Sequence, residues 1–163
     1  MNDIIRFLEN ESNVSLITMR RVGKTGLILR TFDELRTKKY GYKTIYADIY
    51  STQNVDDFVS TLASAVVAQT KESGIKAFFS ILGGIRPLIS YDPVSGQPQV
   101  SVIFQNDAQR FSTIESIFDY LENLGEKVVV AIDEFQQIRE YENVNMEGFL
   151  RSKIQHLKNV NFI

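Results

Sequence analysis

Apolar positions recur along the chain with two periods, and the switching between them predicts its elements. Ile4, Ile5 and Leu8 share one face of a short helix that Asn2 or Asp3 can cap. Val14-Ser15-Leu16-Ile17-Thr18 reads as a brief buried strand. A loop over residues 19–26 follows, then a helix with Leu27, Ile28, Phe32 and Leu35 on its inner face. Gly41 closes that region after the basic cluster Arg36, Lys38 and Lys39. Alternation from Thr44 to Ile49 sets Ile45, Ala47 and Ile49 against Tyr46 and Asp48 and predicts a second strand. Asn54 with Asp57 three residues on is a capping signature, and Val55, Phe58, Val59, Leu62 and Val66 then recur at helical spacing.

The helical pattern breaks from Ile75 to Gln105. Two β-prone runs, Leu88 to Tyr91 and Val100 to Phe104, flank Asp92-Pro93-Val94-Ser95-Gly96 and predict a hairpin. Ser112 and Glu115 read as a capping box for a helix with Ile114, Ile117, Phe118, Leu121 and Leu124 on one face. Val128-Val129-Val130-Ala131-Ile132 is an unbroken apolar run, the signature of a strand buried on both faces. A last helix is predicted over 148–157 and a last strand over 160–163. Alternating strands and helices predict an α/β fold with a mainly parallel sheet, the hairpin being an excursion within it over about residues 75–105.

Composition bounds the function. The chain has 163 residues, 44% of them hydrophobic, which suits one domain with one core. Eighteen basic against twenty acidic side chains give a net charge of −2. With a pI near 5.5 there is no broad field to collect phosphates, so an anion needs a local device. The absence of cysteine excludes a disulfide framework and thiolate metal sites, and a single histidine cannot build a zinc site of familiar spacing. No uncharged stretch approaches the length needed to span a bilayer, and the first residues lack a charged leader followed by an apolar run. The expectation is a cytoplasmic protein with no membrane partner.

The local device is Gly23-Lys24-Thr25, set between a predicted strand and a predicted helix. A helix start presents unpaired N–H groups and the positive end of the helix dipole, so phosphate oxygens can be held there. Gly23 allows close backbone approach, Lys24 reaches β- and γ-phosphates, and Thr25 offers a hydroxyl to magnesium. The candidate nucleotide-contacting set is Arg20, Arg21, Val22, Gly23, Lys24, Thr25 and Gly26, with Arg20 and Arg21 facing either the phosphates or solvent. Thr18 stands five residues before Gly23, where the phosphate-loop pattern asks for glycine.

The second half of the site is Asp133-Glu134, directly after the buried run. Acids there stand at the carboxyl edge of the sheet, where α/β folds bind ligands. Asp133 is the candidate for the magnesium shell and Glu134 for orienting the attacking water. Turn capping is the alternative for the pair, and it becomes the weaker one once the glycine-lysine-threonine element precedes it. Asp48 reads as a turn former, Gln136 and Gln137 as a solvated helix start, and His156 as a surface or packing residue. Neither a nucleophile elbow nor a guanine-selective Asn-Lys-x-Asp element is present.

Residues 16–28, Leu-Ile-Thr-Met-Arg-Arg-Val-Gly-Lys-Thr-Gly-Leu-Ile, resemble the phosphate loop of the archaeal-type AAA ATPases, a STAND-related group within the AAA+ class. Tyr46 to Gln53 resembles that family's second strand, Arg86-Pro87 through Asp92-Pro93-Val94-Ser95-Gly96-Gln97-Pro98 the hairpin insert of its bacterial members, and Ile132-Asp133-Glu134-Phe135-Gln136 its Walker B segment. The resemblance implies a three-layer αβα sandwich binding ATP with Mg2+. It gives phosphate and magnesium roles to Gly23, Lys24 and Thr25, and metal and water roles to Asp133 and Glu134.

The same resemblance implies that residues 1–163 are part of a longer ATPase domain, beginning after an adenine-seating segment and ending at the fourth strand. Feeble turnover is expected of such a portion alone. Hydrolysis would drive a conformational change within a homo-oligomer acting on an unknown macromolecule, an arginine finger coming from a neighbour; Arg139 and Arg151 are the candidate donors. Two alternatives stand beside it: a nucleotide-dependent regulatory switch with little turnover, and a DNA-processing or mobile-element accessory. The acidic pI argues against direct DNA contact by this chain.

Overall fold

The computed structural model describes residues 1–17, 23–37, 39–82, 85 and 87–163. Three strands, β1 (Lys43–Asp48), β4 (Val128–Asp133) and β5 (Val160–Phe162), form a parallel sheet in the order β1-β4-β5. Their register places Asp48 level with Asp133 and Val130 level with Phe162. All six residues of β4 are buried, as its unbroken apolar run requires. Each fully buried valine or isoleucine contributes about 1.5–3 kcal/mol. Four such positions, with Ala131 between them, offset the several kcal/mol of desolvation that a buried carboxylate incurs, and so the strand can end on Asp133.

Helices cover both faces of the sheet. On one face α1 (Asn2–Glu9) and α2 (Lys24–Leu35) bring Ile4, Ile5, Leu8, Ile28, Phe32 and Leu35 against Val129 and Ala131. On the other, α3 (Val55–Ala68), α4 (Glu72–Ile81), α5 (Asp107–Glu122) and α6 (Met146–Ile154) build a larger core around Ile45, Val128, Val130 and Ile132. Odd and even residues of β4 therefore feed different cores, the period-two geometry of a central strand. The fold is an α/β sandwich, a parallel sheet with helices on both faces.

Three helices begin on an asparagine. Asn54 Oδ1 accepts the Asp57 amide at 2.9 Å, Asn106 Oδ1 the Gln109 amide at 3.0 Å, and Asn145 Oδ1 the Gly148 amide at 2.9 Å. At the first two a second bond ties the third helical residue back to the chain before the cap, since the Gln53 and Gln105 amides donate to the side chains of Asp57 and Gln109. The hairpin pairs β2 (Leu88–Tyr91) with β3 (Pro98–Ser101) in antiparallel register. The Val100 and Val102 amides donate to Ser64 and Ser60 of α3, and Val100 is buried in the larger core. The excursion is thus fastened to the domain through β3, whereas every residue of β2 is exposed.

Several expectations need correcting. Neither Asn2 nor Asp3 caps α1, whose N-cap is Met1 with no side-chain bond. Residues 14–17 do not form a strand: Val14 and Leu16 pack on the smaller core, and the Val14 amide donates to Phe162 O at 2.8 Å, but no ladder follows. Thr18, the remainder of that predicted strand, lies outside the described residues. The break predicted from Ile75 is instead α4, in which Ile75, Phe78, Phe79 and Leu82 follow helical spacing onto the larger core. Gly74 in its first turn and the missing side-chain cap at Lys71 hid that pattern. Ser112 does not cap a helix, since α5 starts at Asp107 and Ser112 Oγ donates to Gln109 O in its second turn. The last helix runs over Met146–Ile154, two residues earlier at its start than predicted.

Candidate functional site

Gly23 is the residue from which α2 starts. Its φ of +81° is left-handed, where a β-carbon is strained, and among the described residues nothing lies within 4 Å of the place a β-carbon would occupy. Gly26 is equally open. The first turn of α2 leaves its amides without an intrahelical partner, and no acidic side chain stands in that turn to occupy them. Lys24 and Thr25 are its first two residues. Arg20, Arg21 and Val22, predicted as nucleotide contacts, lie outside the described residues, as do Thr18 and Met19.

The fold brings the two predicted halves together. Thr25 Oγ1 donates to Asp133 Oδ2 at 2.6 Å across 108 residues of chain. Lys24 Nζ lies 3.8 Å from Glu134 Oε1, and both side chains are about three-quarters covered. Gln136 Nε2 donates to the other Glu134 oxygen. Glu134 adopts a left-handed φ of +58°, uncommon for a residue with a side chain, and this kink separates β4 from a 3-10 helix over Phe135–Glu140.

Asp133 is 5% exposed. Oδ2 accepts a second hydroxyl, that of Tyr46, at 2.9 Å, and Oδ1 accepts the Glu134 amide at 3.0 Å. Burial is the largest single influence on this carboxyl and pushes its pKa up. The bonds from Thr25, Tyr46 and the Glu134 amide, with the charge of Lys24, outweigh burial and hold it below the ordinary 3.8. Burial, and then the bond to this anion, push the Tyr46 phenol far above its ordinary 10.0, so it remains a donor.

Tyr46 was not singled out as a site residue. The signal was in the alternation of β1, which sets Tyr46 and Asp48 on the face opposite Ile45. Parallel pairing with β4 then carries Tyr46 to Ala131, two residues below Asp133 on the same face. Asp48 is no part of the cluster; its Oδ1 accepts the Tyr50 amide in a turn, as predicted. Gln136 touches Glu134, while Gln137 donates to Thr52 O. Arg139 and Arg151 both pair with Glu147 of the same chain. His156 is exposed.

Among the described residues no three histidine, cysteine or acidic side chains converge as a metal cage. The donors that do meet are a hydroxyl and a carboxylate, both oxygen and one charged, beside an open helix start. That set suits a hard cation that retains waters and shares phosphate oxygens, the binding habit of Mg2+.

A family model described as an ATPase domain predominantly from Archaea matches residues 1–161. The chain belongs to that family. This archaeal-type ATPase domain is a P-loop ATPase module, in agreement with the resemblance read from its motifs. A comparison with curated proteins returns no match. No helix of the domain is long and apolar enough to cross a membrane among the described residues.

Proposed function

We propose that the domain binds ATP with Mg2+ and hydrolyses its terminal phosphoanhydride, coupling the event to a conformational change of the protein it serves. The observation that carries this reading is the 2.6 Å bond between Thr25 and Asp133, which joins a helix-start hydroxyl to a strand-end carboxylate beside the Lys24–Glu134 pair. In this assignment the amides around Gly23 and Gly26 hold phosphate oxygens. Lys24 brings its charge to the β- and γ-phosphates. Thr25 and Asp133 hold the cation, which when bound neutralises phosphate charge. Glu134 accepts a hydrogen bond from the attacking water and orients it in line with the γ-phosphorus.

Most of the acceleration in such a site comes from positioning and charge rather than proton transfer. An arginine from a neighbouring copy would complete the charge balance, and a homo-oligomer is the natural source. A cytoplasmic setting and a macromolecular client fit this reading.

A second reading, a nucleotide-held switch with little turnover, is favoured by one observation: both carboxylate oxygens of Glu134 are engaged, one by Gln136 and one by Lys24. Calorimetry of the chain with ATP, with and without Mg2+, tests the common core of both. Binding that Lys24→Ala abolishes supports it; no heat of binding with either preparation rejects it. Phosphate release in a single turnover then separates hydrolase from switch.

A further inference from the structure

Asp133 Oδ2 accepts two hydroxyls, Thr25 at 2.6 Å and Tyr46 at 2.9 Å. A carboxylate oxygen has two lone-pair sites, so Oδ2 is filled. Among the described residues Oδ1 accepts only the Glu134 amide, at 3.0 Å, which leaves it one site. The three donors reach one carboxylate from α2, from β1 and from the chain just past β4. Tyr46 is the one whose backbone is locked in the sheet, paired in register with Ala131. Its ring packs on the smaller core with Val129 and Ala131, so the phenol is aimed by a rigid strand.

We propose that Tyr46 is a positioning residue that sets how Asp133 meets a divalent cation. By filling Oδ2 it denies the cation a chelating grip through both oxygens and leaves Asp133 to act through the single open site of Oδ1 or through a water. Mg2+ is small, strictly octahedral and reluctant to shed water, so it tolerates that restriction. Ca2+ takes six to eight oxygens and uses chelating carboxylates readily, so it is disfavoured. Tyr46 thereby confers a preference for Mg2+ over Ca2+ at the nucleotide. The inference rests on the nucleotide reading proposed above. The competing explanation, that the phenol merely packs and satisfies its own hydroxyl, predicts a change in stability without a change in cation preference.

The test titrates a fluorescent ATP analogue into the full chain and into Tyr46→Phe, in MgCl2, in CaCl2 and in EDTA. Tyr46→Phe keeps the ring and removes only the donor. Expected are equal affinities of the two proteins in EDTA, and a Mg2+-over-Ca2+ affinity ratio that falls by roughly tenfold in the variant, the equivalent of one hydrogen bond to a charged group. An unchanged ratio overturns the proposal while leaving nucleotide binding intact. A wild-type protein with no preference for Mg2+ overturns it whether or not the variant folds. A wild-type protein that takes up no nucleotide in any of the three solutions overturns both readings.

Discussion

Thr25 and Asp133 are hydrogen-bonded at 2.6 Å although they stand 108 positions apart, and with the neighbouring Lys24–Glu134 ion pair they tie the start of α2 to the end of β4 through side chains alone. The pair therefore couples the smaller core, which holds α2, to the central strand that serves both cores. A double-mutant cycle on Thr25→Ala and Asp133→Asn, read by denaturant unfolding without nucleotide, is expected to return a coupling of about 1–2 kcal/mol, since one partner is charged and buried. A coupling near zero would show that the two side chains do not depend on each other in solution.

Glu134→Gln keeps the size of the side chain and removes its charge. Under the hydrolase reading, single-turnover phosphate release slows by about a hundredfold or more, the usual range for losing a positioned proton acceptor. ATP affinity is expected to stay close to that of the unaltered protein. An unaltered release rate selects the switch.

Among the described residues nothing lies within 4 Å of the β-carbon that Gly23→Ala adds. The expected cost is that of the backbone, where a left-handed φ of +81° strains an L-residue by about 1–2 kcal/mol. Denaturant unfolding reads that loss directly. A variant as stable as its parent would mean that the helix start relaxes to another conformation.

The turn of the hairpin carries its own pH signature. Asp92 Oδ1 accepts the Val94 amide at 2.9 Å, the Ser95 amide at 2.6 Å and the Ser95 hydroxyl at 2.9 Å. The Ser95 amide is the largest of the influences that hold its pKa below the ordinary 3.8. A depressed carboxyl contributes order that is present above the unfolded value and lost as the pH falls through the folded one. The Val94 and Ser95 amide resonances are therefore expected to stay unchanged from neutral pH down to about 4, by the ordinary carboxyl value, and to shift only below it. A midpoint above 3.8 would contradict the turn geometry.

Capping supplies a comparison of two neighbours. Asn106→Ala removes the bond to the Gln109 amide and is expected to cost about 1 kcal/mol of stability. Ser112→Ala, at an exposed position inside α5, is expected to stay within about 0.5 kcal/mol. Thermal or denaturant unfolding of the two variants ranks them; the reverse order would restore the cap to Ser112.

That comparison also marks how far the sequence alone carries. β4 was legible because five consecutive apolar residues admit few alternatives, and α3 because Asn54 and Asp57 stand next to a long helical stripe. Gly23, Lys24, Thr25, Asp133 and Glu134 were legible as a group because glycine-lysine-threonine and paired acids each follow a predicted strand. The start of α5 was misplaced because serine and glutamate three apart occur within helices as well as at their ends; the bonds from the Gln109 amide to Asn106 and from the Gln105 amide to the Gln109 side chain decide the matter, and they exist only in three dimensions. α4 was missed because a single glycine masked four correctly spaced apolar residues. Tyr46 escaped because its meaning lies in register: a tyrosine in a strand is ordinary until the strand beside it ends on an acid two residues further up.

The unequal division of the interior has a dynamic consequence. α1 and α2 are held by a modest set of side chains against Val129 and Ala131, whereas the opposite face shares a much larger apolar cluster. Sub-global opening follows the weaker contacts, so amide protons in α1 and α2 exchange with deuterium ahead of those in α3 and α5. A ligand seated at the start of α2 binds the closed form alone and slows that exchange in proportion to its occupancy. Deuterium uptake in α2 is thus a built-in gauge of occupancy, and it reports loading even in a protein that never turns over.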